Sequence, residues 1–146
     1  MAYQKQIPFD KDIDKILKGI EELGMFKDLD IKSLANEGEY ADTIAHKLKN
    51  IDMKTTQLRR FFGAVKEIET KLNGKSWEDV EADFYLLKPK LAYAKGRKLI
   101  PSEFYEVVKT SMNKVDVGNS KDKIANYKMF VKFLESVVAY HKFHGG

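Results

Sequence analysis

Residues 129–140, MFVKFLESVVAY, constrain the fold more than any other stretch of the chain. At the roughly 100° step of an α-helix, Met129, Phe130, Phe133, Leu134, Val137, Val138 and Tyr140 spread over more than half the circumference. Lys128, Lys132, Glu135 and Ser136 share what remains. An ordinary surface helix carries one apolar stripe, whereas an arc this wide asks for neighbours on two sides. The predicted helix, opened by a cap at Ser120 and running to Gly145-Gly146, is therefore expected to be central to a bundle or partly in a subunit interface, the core being the first reading.

The other segments repeat the helical period, and strand patterns are poor. Ile13, Ile16, Leu17, Ile20 and Leu23 share a face over residues 10–24, closed by Gly24. A short segment at Ile31–Leu34 and a helix near Tyr40–Leu48 follow. Thr55 or Thr56 is the expected cap of a helix buried through Leu58, Phe61, Phe62, Val65, Ile68 and Leu72, and Asn73-Gly74 stops it. Ser76 is expected to cap a helix with Glu78 and Asp79 in its first turn, where the macrodipole favours acids. That helix buries Trp77, Val80, Phe84, Leu87 and Leu91 and ends near Gly96; one more runs from Pro101-Ser102 to about Val115. With no repeat or linker in 146 residues, the expectation is one domain over 1–146, an all-α compact bundle of about five to six helices.

Composition narrows the function. No apolar run approaches the roughly 20 residues that span a bilayer, and MAYQKQIPFDKD lacks the layout of a secretory signal. Zero cysteines remove thiol catalysis and Cys-ligated metal sites and agree with a cytoplasmic setting away from membranes. Asp10, Asp12, Asp14 and Glu21 superficially match a calcium loop, but Lys15 stands where the loop needs glycine, and the isoleucines between are spaced as a helix. His141 and His144, three residues apart before Gly-Gly with no carboxylate near in sequence, read as a fraying terminus, and His46 stands alone. There is no phosphate-cradling glycine loop and no nucleophile–base pair, so neither a catalytic residue, a metal nor a cofactor is expected.

Net charge is +4, but its distribution is uneven: residues 1–52 hold eight Lys/Arg against eleven Asp/Glu, whereas 53–98 hold eleven against six. Two segments make the difference. From Met53 to Lys66 there is no acid, and Lys54, Arg59, Arg60 and Lys66 are present. Arg59, Gly63, Lys66 and Thr70 form one stripe, in which the glycine leaves room for an anionic backbone to come close or for another helix to pack. The second segment, LKPKLAYAKGRK over 87–98, carries Lys88, Lys90, Lys95, Arg97 and Lys98 and no acid. Leu87, Leu91 and Ala94 continue the buried stripe, with Lys88 and Lys95 on one shoulder and Lys90 and Arg97 on the other. Pro89 cannot donate to the Tyr85 carbonyl and is expected to bend the helix and aim the cations. Cations beside Tyr93 suit single-stranded nucleic acid: phosphates are neutralised, and an aromatic ring stacks on any base. An acidic protein face offers Arg the same acceptors as a phosphate.

TTQLRRFFGAVKEIE, LLKPKLAYAKGRK and the terminal FVKFLESVVAYHKFHGG, in that order, closely resemble the small subunit of the type III-A CRISPR–Cas (Csm) effector complex. The resemblance covers roughly residues 50–146; the N-terminal third matches in length and helical character. It implies a small helical bundle in antiviral defence, several copies of which line the guide RNA–target RNA duplex and touch one another and other Csm subunits. It also implies a non-catalytic role, the nuclease and cyclic-oligonucleotide chemistry lying in other subunits. The RNA-binding residues it implies here are Lys54, Arg59, Arg60, Lys66, Lys88, Lys90, Tyr93, Lys95, Arg97 and Lys98. Phe61, Phe62, Leu91 and Tyr140 are expected in the core. The alternative is a purely protein–protein scaffold whose basic faces meet acidic partners.

Overall fold

The computed structural model describes residues 11–146, so Asp10 and the N-terminal signal reading lie outside the described residues. Among the described residues seven α-helices follow one another: α1 (Lys11–Glu21), α2 (Ile31–Ala35), α3 (Tyr40–Asn50), α4 (Thr55–Leu72), α5 (Glu81–Gly96), α6 (Ser102–Val115) and α7 (Ser120–Phe143). Single 3₁₀ turns stand at Phe26–Asp28 and Trp77–Asp79. Six of these helices run eleven residues or more and α2 only five. No strand occurs among the described residues, and the chain is an all-α bundle.

The wide apolar arc does what its width requires. α7 packs against α2, α3, α4, α6 and both 3₁₀ turns. It buries Tyr127, Phe130, Val131, Phe133, Leu134 and Val137 at 2% exposure or less. An aromatic chain extends from it: Trp77 meets Phe84 at 5.3 Å, Phe84 meets Tyr127 at 5.8 Å, and Tyr127 meets Phe130 at 5.8 Å between ring centroids. The first two of these pairs meet edge-on, an arrangement that adds about 0.5–1.5 kcal/mol each beyond area burial. The Tyr127 hydroxyl donates to the Val65 carbonyl at 2.7 Å and so ties α7 to α4. The buried Asn126 accepts from the Lys27 N–H at 2.8 Å and donates to the Val115 and Val117 carbonyls, uniting three segments around one amide.

Several helix ends differ from expectation. Lys54, not a threonine, precedes α4, and Thr55 and Thr56 lie inside the first turn. Asn119 rather than Ser120 caps α7, its side chain accepting from the Asp122 N–H at 2.9 Å, while Asp122 accepts in return from the Asn119 N–H at 3.1 Å. An Asn three residues before an acid makes the same reciprocal box as Ser, and its position one residue earlier wins. Ser76 opens the 3₁₀ turn instead of α5 itself, with the Asp79 carboxylate accepting from its N–H and its hydroxyl. Residues 11–21 are helical, which leaves no twelve-residue calcium loop.

The C-terminal end is tied down, contrary to the fraying expected of it. His141 is 1% exposed and its Nε2 lies 3.2 Å from the Met53 carbonyl. His144 lies 2.6 Å from Asp42 and stacks on His46 at 4.5 Å. The carboxylate that was missing from the local sequence thus comes from α3. Burial alone would raise the Asp42 carboxyl; the Gly38 N–H, the His144 hydrogen bond and the neighbouring imidazole charges outweigh that and hold it below its ordinary range.

α5 sits at the periphery, against α4, α6 and the second 3₁₀ turn. It buries Phe84, Leu87 and Leu91 and continues through Pro89 to Gly96. Its opposite face is apolar as well: Leu86 is 55% and Tyr93 64% exposed, with Pro89 exposed between them and Ala82 exposed one turn before.

Candidate nucleic-acid interface

α4 and α5 lie side by side because each turns one stripe inward: Leu58, Val65, Ile68 and Leu72 from the first, Phe84, Leu87 and Leu91 from the second. Residues just off those stripes then face each other across the seam. The result is a groove of about 390 Å³ between α4, α5 and the start of α6. Gln57, Arg60, Phe61 and Ala64 form one wall and Lys90, Tyr93, Ala94 and Arg97 the other. Leu91, Leu99, Ile100 and Phe104 complete the floor. Both walls follow the i, i+3, i+4, i+7 spacing of a helix flank.

The two basic segments therefore meet, but not with every cation. Arg60, Lys90 and Arg97 reach the groove. Arg59 is about 100° further round α4 and falls on the opposite flank with Gly63 and Lys66. Lys66 is drawn into an ion pair with Glu69 at 2.9 Å; that hydrogen bond, then the carboxylate's charge, holds its ammonium above the ordinary range. Gly63 is open: a Cβ there would meet nothing within 4 Å, so the glycine is not a helix-packing contact. The shoulders of α5 divide as their spacing predicts. Lys95 turns to α6, its Nζ 4.7 Å from the Tyr105 ring centroid, with Lys109 near the same ring at 5.6 Å. Lys95 and Lys98 line a second, more polar groove with Asp52 and Ser102, and Leu99 and Ile100 line both grooves. Lys88 is exposed on the outside of α5, and Lys54 is exposed beside the second groove, next in sequence to Met53, which lines it.

Tyr93 stands at the lip of the first groove. Arg97 Nη1 donates to its hydroxyl at 3.2 Å, and the guanidinium lies 5.7 Å from its ring centroid. Arg97 thereby ties the tyrosine to itself through one of its five donors. Among the described residues, no ion pair engages Lys54, Arg59, Arg60, Lys88, Lys90, Arg97 or Lys98. Unneutralised cations at this density form an anion-attracting surface.

Lys98 and Asp52 share an unusual backbone. Both are non-glycine residues in the left-handed region, with φ of 62° and 63°, and they close α5 and α3 on either side of the second groove. α5 ends at Gly96 as expected, and the left-handed residue Lys98 follows two positions later.

Gln57, Ala64, Leu99, Ile100 and Phe104 belong to the site without having been expected there, and Phe61 and Leu91 serve it from the edge of the core. The repeated flank spacing of 57/60/61/64 and 90/93/94/97 is the signal that marks them. Phe62 and Tyr140 are partly buried against the core, the latter bonded through its hydroxyl to the Ala35 carbonyl at 2.6 Å. No group of three His, Cys, Asp or Glu among the described residues could hold a metal ion. None of their helices is long and apolar enough to cross a membrane.

A family model described as Csm2 Type III-A matches residues 31–146. The match begins at Ile31, well before residue 50 where the motif resemblance starts, and so takes in α2 and α3. No curated protein and no solved structure matches the chain.

Proposed function

The chain belongs to the Csm2 family of type III-A, a small subunit of the Csm complex whose partners are other Csm subunits, and from that premise we propose that its basic grooves hold an RNA backbone. The protein is then a non-catalytic, cytoplasmic RNA-binding scaffold of one domain over residues 1–146, engaging target and guide RNA without sequence preference. The observation that carries this reading is the convergence of Arg60, Lys90 and Arg97, from two segments thirty residues apart in sequence, on one groove beside an exposed tyrosine. Phosphate contacts of this kind position a strand without reading it. Lys95 and Lys98 extend the track through the second groove. Lys54 flanks it; Lys88 and the Arg59–Lys66 flank of α4 are secondary contacts, Lys66 having to exchange Glu69 for phosphate. The groove walls offer cations, an amide and a phenol, all of which can donate hydrogen bonds to a phosphodiester.

The test is a salt titration of single-stranded RNA binding by fluorescence polarisation. The triple change Arg60→Gln, Lys90→Gln and Arg97→Gln removes three phosphate contacts at about 0.7 each, and so lowers the slope of log K against log[salt] by about 2. Helicity by circular dichroism is unchanged, since all three side chains are on the rim. An unaltered slope, with target RNA retained normally by a complex built on the variant, refutes the assignment.

A second observation favours protein contact as well. Ala82, Leu86, Pro89 and Tyr93 are spaced 4-3-4 along the exposed face of α5. That is the seam spacing of helix on helix. This face suits a neighbouring Csm subunit or a copy of the chain itself. Were it the whole function, the basic grooves would meet acidic protein surfaces instead of RNA.

A further inference from the structure

Resting on that RNA reading, we infer that the α4/α5/α6 groove is a subsite for a single unpaired nucleobase, and not only a track for phosphates. A surface that met phosphates alone would need cations and nothing beneath them. Here the depth is apolar: Phe61, Leu91, Ala94, Leu99, Ile100 and Phe104 form it, and the cations stand only at the rim. Phe61 and Phe104 meet edge to face, centroids 5.7 Å apart and planes at 89°, which leaves Phe61 partly open to the groove instead of closing it. At about 390 Å³ the space is at the small end of ligand pockets, the scale of one heterocycle and its sugar and too small for a helix.

The lip has the chemistry that such an occupant needs. Arg60, Lys90 and Arg97 sit where the phosphates on either side of an inserted base must pass. Tyr93, 64% exposed and bonded to Arg97, places an aromatic ring at the lip. Gln57 supplies an amide that donates from one end and accepts from the other, so it serves the edge of any base after a flip of its side chain. Small residues at Ala64 and Ala94 keep the two walls apart. A base stacked within a duplex cannot enter, so the occupant is a single-stranded nucleotide or one extruded from a helix.

The probe is a short oligouridylate with 2-aminopurine at one interior position, compared with the same strand carrying an abasic residue there. The full chain binds both at low salt. The expected result is quenched 2-aminopurine emission and affinity for the abasic strand reduced by at least about fivefold, the low end of base–aromatic stacking. Ala94→Met fills the groove and leaves every cation in place. It abolishes both the quenching and the preference for the intact strand, yet keeps the salt slope of the wild type. Equal affinity for intact and abasic strands, without quenching, overturns the subsite and leaves the phosphate reading standing. Failure of either strand to bind overturns both. If Ala94→Met keeps the quenching and the preference but no longer assembles with the other Csm subunits, a protein side chain is the occupant and the inference falls.

Discussion

Replacing Lys98 with glycine drives stability and charge in opposite directions at one position. Lys98 closes α5 in the left-handed region with φ of 62°, while its N–H donates to the Lys95 carbonyl and the Leu99 N–H to the Ala94 carbonyl, each at 2.9 Å. A side chain in that conformation crowds its own carbonyl at a cost of about 1–2 kcal/mol. Glycine removes the crowding but adds about 0.4–1 kcal/mol of unfolded-state freedom. The net gain is about 0.5–1 kcal/mol. Unfolding entropy of about 2.1 cal/mol/K per residue makes this a rise of about 2–3 °C in Tm for a chain of 146 residues. On the binding side, one phosphate contact fewer lowers the salt slope by about 0.7. Asp52→Gly is the matched control: Asp52 has φ of 63°, lines the same groove and carries the opposite charge. It brings the same rise in Tm with RNA affinity unchanged or improved. Scanning calorimetry and polarisation at several salt concentrations measure both halves. A fall in Tm for Lys98→Gly would show that the lysine chain outweighs its backbone strain. Equal losses of RNA affinity in both variants would refute the charge argument, because shape alone would then explain them.

Two further changes probe the packing. Burial holds the His141 imidazole below its ordinary 6.5, against the opposing bond to the Met53 carbonyl and with help from the charge of His144. Below pH 6.5 the unfolded chain takes up a proton that the folded one refuses, so stability falls from pH 7.5 to 5.5, by at most about 1.4 kcal/mol per pH unit for one group; His141→Gln flattens that part of the Tm–pH curve, and an unchanged curve contradicts it. Leu86→Glu on the exposed face of α5 shifts stability by no more than about 0.5 kcal/mol, as for other surface positions. It cuts co-purification with the Csm subunits, and undiminished assembly removes α5 as a protein contact.

The helices were legible because burial follows period. Ile13, Leu58, Phe84, Phe104 and Phe130 each sit where a 3.6-residue repeat places them, and all are 1% exposed or less. Caps were harder, since Asn119 and Ser120 are both good caps and only the reach back from Asp122 decides between them. The site was half legible. Charge marked Arg60, Lys90 and Arg97, but charge alone could not separate Arg60 from Arg59, which the 100° step sends to different flanks. The groove floor was invisible to charge, and its residues read as core because Phe61 and Phe104 have the same composition in either place. The C-terminal histidines were misread for a different reason: Asp42 is 102 positions from His144 in sequence, and local spacing carries no trace of such a pair.

Helix α7 leaves the ribosome after α2, α3, α4 and α6, the helices it packs against, and this order has a consequence for synthesis. Phe26 of the first 3₁₀ turn finds Phe130 and Phe133, and Val65 of α4 finds Tyr127, only once that last segment has emerged. Until then α1 can pair with α6, and α5 with α4 and α6, while the faces that α2, α3, α4 and α6 turn to α7 stay open. Closure of the bundle around the faces that α2, α3, α4 and α6 turn to α7 therefore waits for that helix. A pause or truncation ahead of α7 leaves the apolar faces of α3 and α4 uncovered, which makes the incomplete chain a substrate for chaperones and proteases rather than a smaller version of the bundle.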